Sequence, residues 1–436
     1  MATRRLTDNH SRGPVPAAES VSGIAIAVII IGVSITLPAF LVGTQLIDAL
    51  GLADGAVAIF VGGLLTACVG YLTMRVGTET RLSTYNIIRF CFGRAGSHFV
   101  NLILAITLLG WYGVTAALFG RALSRVVADA FAWVVPYPVF TIAGGVLMVI
   151  TTIYGFRAID RLSRIAVPLL AALLLYGVWK VMGGASLAEL SAVPGKPSVG
   201  IASISAGISI VIGSFFVGVT LVPDLSRFAR GRRDAVTGSF LSYGLGFPLV
   251  LLLAGLRVLV SADTDLISSM TALGLGIPAL VVMVFATWTT NINNLYSASL
   301  SFARILPKAR DWAITMVSGV IGTLLALAGI MDHFVDFLIL LGIIVPPIAG
   351  IYLAEYFLIR PARLDSGQPD AVRSFRWAAI GSWAIAGALG FLERAYDWSI
   401  TSVTAIDTFL LAMGVFCIWS KLQSKAEAIP SEYSQS

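Results

Sequence analysis

Apolar residues dominate the chain in segments of about 20 residues, separated by short polar joints. Because the hydrocarbon core of a bilayer is about 30 Å thick, one helix of about 20 apolar residues crosses it. The pattern therefore predicts an all-α polytopic membrane protein with twelve transmembrane helices. The twelve predicted spans are 20–46, 56–74, 98–119, 133–154, 165–182, 201–221, 238–260, 277–303, 312–330, 334–356, 377–392 and 401–419.

Two of these spans, the first and the sixth, have interrupted interiors. In span one, Gly32 and Pro38 lie six residues apart, with the hydroxyl of Thr36 between them. Span six carries Gly213 and Gly218. Glycine and proline free backbone groups in a membrane helix, and those groups need a partner in the protein, an ion or a substrate. The sequence predicts that both spans unwind in mid-membrane, although glycine and proline also serve close packing or simple kinks.

The interrupted spans are five apart, and this spacing predicts a repeated organisation. An odd number of helices per repeat inverts the second copy, as in many secondary transporters. The expected first repeat is 20–182 and the second 201–356, with two additional transmembrane helices in 374–421. Residues 1–19 and 422–436 are expected to be cytoplasmic tails.

The charge distribution predicts the orientation of the chain in the membrane. Hydrophobic residues make up 57% of the chain and charged residues 12%. With a cytoplasmic N-terminus, the predicted joints on the cytoplasmic side carry 23 of the 29 Lys and Arg residues. The positive-inside rule predicts that both termini are cytoplasmic, and we expect the protein to lie in the cytoplasmic (inner) membrane. The net charge of +6 then reflects topology and not a nucleic-acid partner.

Span eight carries a polar cluster at 288–294, where a bilayer offers no water. The hydroxyls of Thr289 and Thr290 are hard ligands suited to Na⁺. A flat heterocycle needs aromatic faces and a few amide groups, and Trp111, Phe215 and Asn291 are suited to those tasks. Taken singly, each of these three residues also has an ordinary packing explanation.

The spans carry no Asp or Glu near their centres, and the three histidines are peripheral. An intramembrane proton relay therefore lacks its usual carriers, which favours Na⁺ over H⁺ as the coupling ion. The spans also lack a combination of nucleophile, histidine and carboxylate, so an enzyme is disfavoured. A channel needs a continuous polar lining, whereas these polar groups cluster at one depth.

Four short motifs, in order along the chain, resemble those of the cytosine permeases, bacterial members of the nucleobase cation symporter-1 family. The resemblance covers nearly the whole chain. It implies the leucine-transporter-like fold, with two inverted five-helix repeats followed by two further helices. The motifs are Gly13-Pro14-Val15-Pro16, Gly110-Trp111-Tyr112-Gly113, Gly213-Ser214-Phe215 with Asp224 and Arg227-Phe228, and Trp288-Thr289-Thr290-Asn291 with Leu295-Tyr296.

The resemblance also implies a sodium site and a base pocket. The sodium site would use the backbone carbonyls of Gly32, Ile35 and Ala286 with the hydroxyls of Thr289 and Thr290.

In the base pocket, the ring would stack between Trp111 and Phe215, with Ser214 and Asn291 at its polar edge. Thr36, beside the interruption in span one, and Leu108 and Val217 complete the expected set of seven substrate-binding residues.

Three positions depart from the cytosine permeases. Leu108 stands where they have Gln, Val217 where they have Ser, and Ile292 where they have Asp. A site built to hydrogen-bond a cytosine edge loses discrimination when its partners become apolar. The departures favour a less polar or differently edged ring.

These observations predict a secondary transporter that imports a nucleobase or related nitrogen heterocycle by Na⁺ symport with alternating access. The alternatives keep the fold and change the cargo to a hydantoin, allantoin, creatinine or hydroxymethylpyrimidine type of ring, or couple transport to H⁺. The expected partners are the heterocycle, Na⁺ and the lipid bilayer, with no organic cofactor. Substrate, stoichiometry and oligomeric state are left open by the sequence.

Overall fold

The computed structural model describes residues 16, 20–154, 156–198, 200–261, 276–306, 308–360, 374–396 and 398–428, and the regular structure in these ranges is helical. Two short π-helical segments, Phe240–Gly246 and Glu355–Ile359, continue α-helices. The α-helices, numbered in chain order from α1 to α18, are Gly23–Ser34, Leu37–Thr80, Thr84–Phe92, Gly96–Phe131, Tyr137–Tyr154, Phe156–Gly184, Leu187–Ala192, Ile204–Leu221, Pro223–Ser226, Arg232–Ser239, Phe247–Gly255, Val258–Ser261, Gly276–Ile305, Asp311–Leu327, Phe334–Ile344, Pro346–Ala354, Trp377–Tyr396 and Thr404–Ala428.

Six helical stretches in the described ranges are long and apolar enough to cross a membrane. Further apolar helices of 10–17 residues, among them Gly23–Ser34 and Asp311–Leu327, are shorter than that limit. The tails predicted at the two ends of the chain, including most of the motif at 13–16, lie largely outside the described residues. The six stretches are Leu37–Thr80, Gly96–Phe131, Ile204–Leu221, Arg232–Gly255, Phe334–Ile359 and Thr404–Gln423.

The interruption predicted in span one is confirmed. Helix α1 ends at Ser34 and α2 begins at Leu37. Ile35 has left the helical region, with φ −78° and ψ 82°, and the Thr36 hydroxyl caps α2 by accepting from the amide of Ala39 at 3.4 Å. The amide of Thr36 donates to the Ser34 carbonyl, so the carbonyl of Gly32 lacks its usual helical partner.

The interruption predicted in span six is wrong, because α8 runs as one helix from Ile204 to Leu221. Gly213 serves a different purpose. A Cβ atom at this position would lie 2.4 Å from the carbonyl oxygen of Leu338 and 3.0 Å from the amide nitrogen of Gly342. The glycine therefore lets the backbones of α8 and α15 approach each other closely, and the chain turns only at Pro223, where α9 begins.

Helix α2 contains the end of predicted span one and the whole of span two. Gly51 separates the two parts with φ 77° and ψ 176°, a conformation outside the helix that glycine adopts without strain. The chain therefore bends at Gly51.

The long helices pack in two main groups. Helix α2 packs against α8 and α11, and α1 packs against α10 and the π-helical segment Phe240–Gly246. Helices α4, α5, α13 and α14 form the second group. Helices α15 to α18 pack together beside them, with α15 against α8.

Two hydrogen bonds attach the start of α1 to the segment that follows α8. The amide of Val21 donates to the Phe228 carbonyl at 2.7 Å, and the amide of Gly23 donates to the Asp234 carboxylate at 2.7 Å. We call this pair of bonds the α1 clamp. Gly23 has no space for a side chain, because a Cβ atom there would lie 2.2 Å from the Asp234 carbonyl oxygen.

The outer surface of the bundle is apolar. Ile106 on α4 is 56% exposed and Leu175 on α6 is 60% exposed. Large aromatic side chains such as Phe216 and Tyr352 are instead fully buried between helices. Exposed aliphatic side chains on long helices are the surface that a protein presents to lipid.

Candidate substrate and cation site

A cavity of about 220 Å³ lies where α1 gives way to α2, between the two helix groups. It brings together six of the seven residues predicted to bind substrate. Its size is below the roughly 300–1,000 Å³ typical of drug-sized ligands, so it suits a small ring. The six residues are Thr36, Leu108, Trp111, Ser214, Phe215 and Val217.

Trp111 forms one aromatic wall of the cavity, and the preceding glycine of its motif explains how it is held. A Cβ at Gly110 would meet the ring of Phe337 at 2.4 Å, so glycine here lets that ring approach α4. Phe337 and Phe334 pack edge-on against Trp111, with ring centroids 5.4 and 6.1 Å away. The indole is therefore fixed from behind by α15, and part of its surface faces the cavity.

Phe215 on α8 forms the second aromatic wall. Its ring lies 4.5 Å from that of Phe247, which also lines the cavity, and 5.5 Å from that of Tyr243. Tyr243 belongs to the π-helical segment Phe240–Gly246, which continues directly into α11. Such segments often occur at functional sites because they change the direction in which side chains point.

Few polar groups interrupt the apolar lining. Ser214 donates to the Val211 carbonyl at 2.8 Å, so its oxygen can still accept a hydrogen bond from a ligand. Helix α13 contributes Thr290 and Asn294 to the lining. The Asn294 amide offers both a donor and an acceptor, which is the usual means of reading the edge of a heterocycle.

Asn291, predicted at the polar edge of the pocket, is not among the lining residues. Its side chain is fully buried on another side of α13, and its amide group donates to the Met148 sulfur at 3.1 Å. Ile292, considered as a specificity position, is also buried away from the cavity, in a cluster with Tyr112 and Leu295. The structure therefore separates these two residues from Trp111 and Phe215.

The spacing of residues along α13 indicates which of its amide side chains faces the cavity. Residues four apart lie on one helix face, so Thr290 and Asn294 point in nearly the same direction. Asn291 follows Thr290 directly and is turned by about 100° around the helix. Once Thr290 is assigned to the site, Asn294 is the amide that accompanies it.

The residues expected to bind sodium lie at the C-terminal end of α1, just before α2 begins, and on α13. Thr290 shares the cavity lining with Val33 and Thr36, which flank the interruption. Thr289 is buried, and its hydroxyl donates to the Ala286 carbonyl at 2.9 Å. The remaining two expected ligands, Gly32 and Ile35, lie at the end of α1. Hydroxyl and carbonyl oxygens are the donors that Na⁺ takes.

A family model described as a permease for cytosine/purines, uracil, thiamine and allantoin matches residues 14–412. The chain belongs to this permease family. The members of this family are permeases, which is consistent with the prediction of a transporter rather than an enzyme.

This permease is similar to two curated relatives and one solved structure. It is 31% identical to the cytosine permease of Escherichia coli K12 over 405 residues, which cover 92% of each chain. It is 26% identical to the hydantoin permease of Microbacterium maritypicum, over 98% of this chain and 92% of the relative. The inward-facing conformation of Mhp1 superposes with a TM-score of 0.85 at 20% identity, covering 96% of this chain and 94% of Mhp1.

The fold of this permease is thus that of Mhp1, which is leucine-transporter-like, as the sequence motifs implied. Mhp1 is a nucleobase-cation-symport-1 family transporter. The resemblance of the sequence to that family is confirmed.

Proposed function

We propose that this permease imports a small, flat nitrogen heterocycle by Na⁺ symport. The observation that carries the proposal is a cavity that has Trp111 and Phe215 as walls and adjoins both Thr290 and the interruption between α1 and α2. A ring that enters it can contact an aromatic face while its edge meets Ser214 and Asn294. Alternating exposure of this cavity to the two sides of the membrane would move the ring across.

A hydantoin-type ring is the second candidate cargo, favoured by a specific feature of the lining. Leu108 and Val217 both line the cavity with aliphatic side chains. A cytosine edge held there would lose hydrogen bonds to water without replacing them, at a cost of about 1–3 kcal/mol for each group. A ring with an apolar substituent would instead gain from contact with these two side chains.

Sodium is the proposed coupling ion. Thr289 and Thr290 are one residue apart on α13, and Thr290 shares the cavity with residues beside the interruption of α1. A cation bound by the carbonyls of Gly32, Ile35 and Ala286 and by the two hydroxyls would join the two helix groups. Since coupling is reciprocal, sodium that favours the substrate-competent state also binds more tightly when substrate is present.

The twelve spans, the two inverted repeats and the cytoplasmic location of both termini are part of the same proposal. Helices α1 to α6 would form the first repeat and α8 to α16 the second, followed by α17 and α18. One end of the bundle carries Glu79 in contact with Arg75 at 2.8 Å and with Arg232, consistent with a cytoplasmic end rich in Arg.

The proposal is tested by thermal unfolding of the purified protein with a panel of nucleobases, hydantoins and related rings. Each ring is added in NaCl and, at equal ionic strength, in choline chloride. A ligand that binds only the folded state raises the melting temperature. We expect one class of ring to raise it, and to do so in sodium only. Stabilisation that is equal in choline would contradict sodium coupling, and no response to any ring would contradict the cargo class.

Replacing each of the two asparagines by alanine should show which face of α13 binds the ring. Asn294→Ala removes a polar partner of the ring edge, so we expect the affinity for the stabilising ring to fall about fivefold, for about 1 kcal/mol. Asn291→Ala removes a buried contact to Met148, so we expect a lower melting temperature with unchanged affinity. Titration calorimetry measures both affinities. Reduced affinity in Asn291→Ala with unchanged affinity in Asn294→Ala would show that Asn291 is the residue that contacts the ring.

A further inference from the structure

A second, larger cavity lies away from the substrate site. It has a volume of about 650 Å³, opens to the surface, and is lined by the N-terminal ends of α8 and α18, the middle of α15, the end of α17 and the α17–α18 connection. It shares no lining residue with the substrate cavity. We call it the α17–α18 chamber. Its polar lining is largely hydroxylic, and the hydroxyl-bearing residues are Ser203, Ser205, Ser209, Ser399, Ser402 and Thr404.

Glu393 is the unusual residue of this chamber. The residue is 2% exposed, and neither carboxylate oxygen has a hydrogen-bond partner of good geometry among the described residues. The hydroxyl of Thr404 and the carboxyl group of Asp407 lie close enough to interact with it. A buried carboxylate with so little to replace its lost water is unstable.

Asp407, in contrast, is fully provided with donors. Its carboxylate accepts from the Ser399 hydroxyl at 2.6 Å, from the amide of Ile400 at 2.9 Å and from the amide of Thr401 at 3.0 Å. These bonds supply Asp407 with the donors that Glu393 lacks. Glu393 therefore lies beside a second acidic side chain, and a cation in the chamber would relieve the repulsion between the two.

The basic residue at the chamber wall is already engaged. Arg394 forms an ion pair with Asp336 at the start of α15, and His333 lies 3.7 Å from the same carboxylate. The N-terminus of α8 is capped by its own Ser203, whose hydroxyl accepts from the amide of Ala206 at 3.2 Å. The described elements around the chamber thus leave the charge of Glu393 without a counter-ion.

We propose that the α17–α18 chamber binds a monovalent cation at Glu393, with serine and threonine hydroxyls as further oxygen ligands. One carboxylate with neutral hydroxyls suits a hard monovalent ion, and the chamber is large enough for the ion to retain part of its water shell. The bound cation would join α17 and α18 to α8 and α15. This site is separate from the sodium site proposed at Thr289 and Thr290.

The test uses the full-length protein with the first sodium site removed. In the Thr289→Ala/Thr290→Ala variant, melting temperature is measured as NaCl replaces choline chloride at constant ionic strength, and binding of radioactive sodium is measured in parallel. We expect a saturable rise in melting temperature and residual sodium binding. Adding Glu393→Gln should abolish both, whereas Glu393→Asp should retain them at a higher sodium concentration. KCl and methylammonium chloride, tested in the same way, distinguish an alkali ion from an organic ammonium ion.

Asp54→Asn provides the matched control, because Asp54 is an exposed carboxylate at the bend region of α2. It should leave the sodium response unchanged. If Glu393 instead carries a proton, Glu393→Gln will stabilise the protein in every salt and no cation response will depend on Glu393, which would overturn the proposal. Substrate-dependent stabilisation is read separately in each variant, so failure of the chamber site leaves the proposed transport function standing.

Discussion

Replacing Thr289 and Thr290 together by alanine should abolish the sodium dependence of substrate binding. The double substitution removes both side-chain oxygens of the proposed cation site and leaves only backbone carbonyls, which hold Na⁺ too weakly to couple it to the ring. Substrate affinity, measured by calorimetry in NaCl and in choline chloride, should become the same in both salts. In the unmodified protein the affinity should be at least tenfold higher in sodium.

Thr287→Ala is the matched control for this experiment. Thr287 is buried on the same helix, and its hydroxyl donates to the carbonyls of Met283 and Val284 at 2.9 Å, within its own helix. Its loss should therefore leave sodium dependence intact. Thr290→Ser, which keeps the hydroxyl, should retain coupling. Persistent sodium stimulation in the double alanine variant would show that the coupling ion binds elsewhere.

Trp111→Ala should weaken substrate binding by about 1–3 kcal/mol, on the scale measured for bases stacked on aromatic side chains. This corresponds to a loss of affinity of about five- to 150-fold. Trp111→Phe keeps an aromatic face and should recover most of the loss. The ring identified in the thermal panel is titrated into each variant by calorimetry.

Removing a large aromatic residue also lowers stability, so the effect on binding needs a comparison. Trp383 packs edge-on against Phe99, with ring centroids 4.9 Å apart, and its indole nitrogen donates to the Ile344 carbonyl. Trp383→Ala should lower the melting temperature about as much as Trp111→Ala without changing affinity. Equal affinities for the unmodified protein, Trp111→Ala and Trp383→Ala would show that the ring binds outside the cavity.

The two glycine-containing spans show how far local sequence determines structure. Both carry glycines that could release the backbone, yet only α1 is interrupted. After α1, Pro38 lies in the first turn of α2 and Thr36 caps that helix, so the local residues suffice to start a helix there. At Gly213 the glycine is required by the close approach of the α15 backbone. The local sequence around Gly213 does not show that α15 packs there.

The walls of the cavity were more predictable than its polar edge. Trp111 and Phe215 come from motifs that resemble a known family, and both line the cavity. The orientation of the amides on α13 depends on the rotation of that helix against α4 and α5, where Met148 receives Asn291. The proximity of Glu393 and Asp407 could not be predicted from the sequence either, because it depends on the path of the α17–α18 connection.

The α1 clamp restricts how the permease can move. If α1 swung away alone, the amides of Val21 and Gly23 would lose their partners, and each buried unpaired group costs about 1–3 kcal/mol. Displacement of α1 together with α8 and the segment that follows it keeps both bonds. In such a displacement the interruption at Ile35 and Thr36 moves together with α1.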